Sequence, residues 1–161
     1  MERREKTEFI LEQMRLLIAV AQQKDDAAKK DNKLGGGESE WVKAKVGSRK
    51  ISEAFLKEKE NEAGVFVLYC WDTHLCMQDL KLKYYDLMIQ HSLHHEEYLD
   101  VAQHYYKVWE TPSIKEDVSD KGKAALEHIV YYSILAPHSN EQSDLIHRLF
   151  NDPALAKLEL H

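Results

Sequence analysis

The chain has 161 residues, with 28 acidic against 22 basic side chains and a net charge of −6 at neutral pH. This balance argues against a nucleic-acid partner, whose footprint is a basic face, and no apolar run is long enough to span a bilayer. At 43% hydrophobic and 31% charged the composition suits a helical domain with a real core, and nothing in it points to a small-molecule substrate.

Six glycines, three of them consecutive, and three prolines are few breakers for this length, which favours helix over a turn-rich β fold. Met1-Glu2-Arg3-Arg4-Glu5-Lys6 is charged and no long apolar run builds up after it, so no secretory signal is expected. Cys70 and Cys76, the two cysteines, suit a reducing compartment, cytoplasm or nucleus.

A first helix is expected over 6–23, with Ile10, Met14, Leu17, Ile18 and Ala21 on one stripe and Glu8, Glu12 and Arg15 largely off it. Residues 24–40 are polar and mixed in charge and contain Gly35-Gly36-Gly37. They are expected to form a mobile loop, because little in them offsets the entropy of ordering. A second helical stretch follows over 41–62, broken near Gly47, with Trp41, Val42, Val46, Ile51, Ala54 and Phe55 as core candidates. Residues 63–78 hold both cysteines, Trp71 and the β-prone run Val65-Phe66-Val67-Leu68-Tyr69, and match neither neighbour in pattern.

From Asp79 the helical pattern is regular. One helix is expected over 79–92 with Tyr84, Leu87 and Met88 inward. A second covers 95–110, where Tyr98, Val101, Ala102, Tyr105, Val108 and Trp109 step by three and four. Thr111-Pro112 closes it. A third covers 119–136, and its Leu126, Ile129, Val130, Tyr131, Tyr132, Ile134 and Leu135 are apolar nearly all round, as in a helix packed on several sides. Pro137 stops it, lacking an N–H and disfavouring helical geometry at Ala136. Ser139 caps a fourth helix, and Gln142 is placed to reach back to the cap's own amide in a capping box. Leu145, Ile146, Leu149 and Phe150 form its apolar face. Asp152 and Pro153 open another turn. Helices joined by such short corners pack as antiparallel hairpins, and successive hairpins stack into an α-solenoid. The expected class is all-α, one helical-repeat segment over 1–161.

The histidines are the main chemical candidates. His91 and His95 are four apart, with His94 and Glu96 beside them and His104 further on, so a small helical metal-binding protein using His91, His94, His95 and His104 is the alternative from another class. A corner at Ser92-Leu93-His94 would separate the pair and leave exposed corner histidines. Leu99 stands where a zinc-hydrolase motif needs its second histidine. His128, His138 and His147 read as polar helix-face or capping residues. Gly35-Gly36-Gly37 lacks the Lys and Ser/Thr of a phosphate loop. No catalytic, cofactor-binding or metal residue is assigned, and no enzyme is expected.

Three runs carry a family resemblance, in order: EKTEFILEQMRLLIAVA from Glu5 to Ala21, DLKLKYYDLMIQ from Asp79 to Gln90, and ILAPHSNEQSDLIHRL from Ile134 to Leu149. Together the chain resembles the PCI-domain subunits of the 26S proteasome regulatory-particle lid, the non-ATPase regulatory subunit 12 family, over most of residues 4–62 and 79–160. The resemblance implies a TPR-like α-solenoid scaffold in ubiquitin-dependent protein degradation. It implies other lid and regulatory-particle subunits as partners, a place in cytoplasmic and nuclear proteasomes, and no cofactor. Related PCI subunits of the COP9 signalosome and of the translation initiation factor complex are the alternatives of the same class. Three departures stand out. Residues 63–78 interrupt the pattern, and a retained intron translated in frame, from a GT-initial codon at Val65 to CAG at Gln78, would account for them. Gly122 stands where an aromatic is expected. The chain stops before the family's C-terminal PCI module, as a fragment or truncated gene product would.

Overall fold

The computed structural model describes residues 3–31, 36–58, 77–115 and 120–155. The described elements are all helical: α1 (Arg3–Lys30), α2 (Glu38–Ser48), α3 (Glu53–Glu58), α4 (Met77–His94), α5 (Tyr98–Trp109), α6 (Pro112–Lys115), α7 (Asp120–Leu135) and α8 (Asn140–Phe150). No strand occurs among the described residues, so the fold is all-α. Contacts cluster into two compact units, Met1–Leu87 and Met88–His161, and the division falls inside α4. The expected insertion over 63–78 lies outside the described residues, apart from Met77 and Gln78, which open α4.

In the first unit α1 is longer than its apolar stripe predicts. Its polar C-terminal third, including residues 24–30 of the expected loop, continues the helix, and Glu38 already opens α2. Contacts with α2 hold that polar end in place. Asp25 accepts from the Gly37 amide through Oδ1 and from the Trp41 indole N–H through Oδ2, each at 2.8 Å, and Lys24 pairs with Glu40 at 2.8 Å. At the other end of the hairpin Met14 lies under Gly47. Late α1 against early α2, and early against late, makes the pair antiparallel. Gly37 permits the close approach: a Cβ there would lie 2.8 Å from the Cα of Ala21, which is fully buried.

The buried stripe of α1 is as expected, with Thr7 and Leu11 added and Leu17 half-buried. In α2, Trp41, Ala44 and Ser48 face inward, while Val42 and Val46, expected in the core, are exposed. The reason is angular. At 100° per residue positions 42 and 46 are a quarter turn or more from the 41–44–48 stripe. In α3 the inward residue is Leu56, not Phe55 or Ala54; Ile51 is buried as expected. Tyr84 is buried on α4, and that burial, with the Glu53 carboxylate nearby, pushes its phenol up to about 12.

In the second unit α4 continues to His94, past the expected corner, and ends in a Schellman motif. The Glu97 amide donates to Ser92 O at 2.9 Å and the Glu96 amide to Leu93 O at 3.2 Å. Glu96 takes the left-handed position of the motif with φ 57°, where glycine is the usual occupant. α5 and α7 form the main packing pair of this unit. Tyr98 stacks on Tyr132 and Tyr105 on His128, with ring centroids 6.2 and 4.8 Å apart, so the two helices run antiparallel. Val101, Ala102, Leu126 and Ile129 fill the core between the ends. The short α6 turn carries the buried Ile114. Trp109 closes the packing by donating from its indole N–H to Asp152 Oδ2 at 3.2 Å, and Asp152 Oδ1 caps the Ala154 amide as expected.

The α7–α8 corner departs instructively from expectation. Ser139 Oγ accepts from the Gln142 amide at 3.1 Å, so the N-cap is as read. The Gln142 side chain does not complete a capping box. It is buried, and its Nε2 donates to Ser133 O at 2.8 Å and to Ala136 O at 3.3 Å. In a helix the Ser133 carbonyl would accept from the amide four residues on. That residue is Pro137, which has no N–H. Gln142 supplies the missing donor, and one α8 side chain thereby ties α8 to the end of α7.

Candidate interaction surfaces

Each unit presents an apolar face to solvent. In the first, Phe9, Leu16 and Val20 share a stripe on α1 at spacings of seven and four, opposite the buried stripe, and Val42 and Val46 sit on α2. In the second, Tyr131, Ile134 and Leu135 on the last turns of α7 are 55–69% exposed, and Phe150 on α8 is 79% exposed with Ile146 beside it. α7 is therefore packed along one side, through Leu126, Ile129 and Ser133, and not on several sides as expected. α8 likewise splits its apolar residues: Leu145 and Leu149 face inward, Ile146 and Phe150 outward. Large apolar side chains exposed on one face of a helix point to protein-binding surface more than scattered single ones do.

Tyr98, Tyr105 and Tyr132 are half-buried, and with His128 they form a ladder of near-parallel rings along the α5–α7 seam. His128, expected as a plain polar residue, is held in the ladder because its Nδ1–H donates to Ala124 O at 2.5 Å. Two shallow grooves lie among the described residues. One, of about 270 Å³ and mixed charge, runs along Gln103, Lys107, Asp144 and Arg148. The other, of about 300 Å³, is lined by Arg3, Lys6 and Lys50 around Ile10 and Phe55.

The candidate metal ligands do not sit as their spacing suggests. His91 is buried, not at an exposed corner. Because α4 continues through residue 94, His91 and His95 are not separated: their rings stack at 4.4 Å and 18°. A stacked pair turns ring faces, not nitrogen lone pairs, toward one another, and His95 Nδ1 is engaged with His91 O at 2.9 Å. His94 is exposed and meets His95 edge-on at 4.9 Å. His104 is half-buried on α5.

The basic groove and the Asp25 clasp were not foreseen. Both join residues far apart in sequence whose types are ordinary surface charges. A signal for the Gln142 contact did exist, a buried-type helix position five residues after a helix-ending proline.

Comparison with known proteins places these surfaces in context. A family model described as PSMD12/CSN4, N-terminal, matches residues 1–117. The chain is 38% identical over 159 residues to the 26S proteasome regulatory subunit RPN5 of Saccharomyces cerevisiae, covering 99% of this chain and 28% of that protein. It is 34% identical over 157 residues to the regulatory subunit rpn501 of Schizosaccharomyces pombe, covering 98% of this chain and 28% of that protein. It is 29% identical over 159 residues to the 26S proteasome non-ATPase regulatory subunit 12 of Dictyostelium discoideum, covering 99% of this chain and again 28% of the relative. The chain thus spans less than a third of the length of the curated relatives it matches.

Proposed function

The chain belongs to the PSMD12/CSN4 N-terminal family, and on that premise we propose that it is a helical scaffold segment of the proteasome regulatory-particle lid. In this reading it acts in ubiquitin-dependent protein degradation by holding neighbouring subunits in place. It carries no catalytic residue and needs no cofactor or metal. It resides with proteasomes in cytoplasm and nucleus. The observation that carries the reading is the match to the proteasome regulatory subunit RPN5 over 99% of this chain. The exposed apolar faces on α1, α2, α7 and α8 support it, since a scaffold contributes surface for partners. Stacked helical hairpins suit such a role, because each repeat offers one face to its neighbour and another to a partner.

The test is native purification of the tagged gene product that carries this chain, followed by identification of what comes with it. Lid and regulatory-particle subunits in stoichiometric amounts are expected. Their absence, with the tagged protein intact and folded, would overturn the proposal.

A further inference from the structure

The groove at the open end of the α1–α2 hairpin is positively charged on an acidic chain. Arg3 and Lys6 reach it from the first turns of α1, and Lys50 from the turn that leads into α3. All three are exposed, and none has an ion-pair partner among the described residues. The described acidic side chains nearby in sequence do not supply a counter-charge in the groove's lining. Glu5 and Glu53 do not line the groove, and Glu8 is paired with Arg4 at 3.0 Å. Arg3 and Lys6 also lie at the positive end of the α1 dipole, where cations are unfavourable and anions favourable. Ile10, Ala54 and Phe55 give the groove an apolar lining, and Ser52 and Thr7 add hydroxyls.

We propose that this groove docks an acidic segment of a neighbouring protein, a short run of carboxylates around one apolar side chain. The inference deepens the scaffold reading and rests on it. Charge complementarity identifies the partner. At physiological salt fields decay over about 8 Å, so a short acidic segment feels the three cations, whereas a nucleic acid would run on from the groove onto a chain of net charge −6. The space of about 300 Å³ admits one large side chain between flanking carboxylates.

The experiment titrates the full chain against a fluorescent peptide, Glu-Glu-Glu-Leu-Glu-Glu-Glu, and compares two triple variants of equal charge. One is Arg3→Glu/Lys6→Glu/Lys50→Glu. The other is Lys29→Glu/Lys30→Glu/Lys121→Glu, at residues that do not line the groove. Binding by the parent that weakens tenfold or more in the first triple, less than twofold in the second, and steeply with salt is the expected result. Helical circular dichroism is recorded for both, and Lys6→Arg/Lys50→Arg, which keeps the charge, retains binding. Equal loss in both triples, no binding by the parent at millimolar peptide, or tighter binding of a ten-nucleotide oligouridine than of the peptide would each overturn the inference. Co-purification of proteasome subunits is scored separately. A chain that binds the peptide but recovers none of them contradicts the scaffold reading and leaves the groove standing. A chain that recovers them but ignores the peptide contradicts the groove alone.

Discussion

Replacing Gln142 by leucine probes the α7–α8 corner directly. The change keeps the volume roughly constant and removes the donor to Ser133 O and Ala136 O. Ser133 is 1% exposed, so water is poorly placed to take over, and its carbonyl has no alternative because residue 137 is proline. A buried acceptor left unsatisfied costs about 1–3 kcal/mol. The longer second bond adds about 0.5 kcal/mol, and the extra apolar surface of leucine returns about as much. The expected loss is therefore about 2 kcal/mol in the stability of the second unit. Gln142→Glu is worse than Gln142→Leu, since a carboxylate would face carbonyl oxygens. The assay is urea denaturation followed by helical circular dichroism, repeated in a Pro137→Ala background. There the new amide can donate to Ser133 O, and the cost of Gln142→Leu falls by about 1 kcal/mol. A loss below 0.5 kcal/mol, or the same loss in both backgrounds, would refute the assignment of Gln142 as the surrogate for the amide that Pro137 lacks.

Other expectations follow from the same kind of accounting. Asp25→Ala deprives the Gly37 amide and the Trp41 indole of their shared acceptor and destabilises the first unit by about 2–3 kcal/mol; Asp25→Asn, which keeps one oxygen, costs less, and equal effects in calorimetry would contradict the two-oxygen clasp. Gly37→Ala forces a methyl against the α1 backbone at Ala21 and costs about 1–3 kcal/mol; a neutral effect on the melting midpoint would be decisive against the close approach. Glu96→Gly relieves the left-handed backbone at φ 57° and raises stability by up to about 1 kcal/mol, read as a higher urea midpoint. The Tyr84 phenol is raised by burial to about 12 from its ordinary 10.0, so its neutral form is favoured in the fold. Its contribution is complete below pH 10 and is lost as pH rises toward 12, and Tyr84→Phe flattens that alkaline decline in a pH series of melts. Glu40 runs the other way. Hydrogen bonding from Lys24 holds its carboxyl below the usual range, so its contribution is present at neutral pH and disappears as acid protonates it, and Glu40→Gln removes this part of the acid sensitivity.

The apolar spacing along the chain was enough to place most of the helices and much of the core. Ile10, Met14, Ile18 and Ala21 on α1, and Tyr84, Leu87 and Met88 on α4, lie inward as their periodicity requires, because a helix presents residues three and four apart on one side whatever it packs against. The corner chemistry of Pro137 and Ser139 was legible for the same reason: a missing amide and a capping hydroxyl act within a few residues of chain. The family resemblance was legible too, since three long runs kept their order.

Tertiary structure alone decided what depends on residues distant in sequence. Polar residues 24–30 are helical because Asp25 and Lys24 find partners on α2, which no local pattern encodes. Valines 42 and 46 are exposed while Trp41 is buried, because only the neighbour's position chooses which side of an apolar helix turns inward. Gln142 leaves the cap it was expected to serve because the proline just past the end of the preceding helix leaves a carbonyl open. Local periodicity sets where the chain can be helical; which side of each helix is covered, and which charges stand together at a groove, is set by pairwise contacts that exist only once the helices have met.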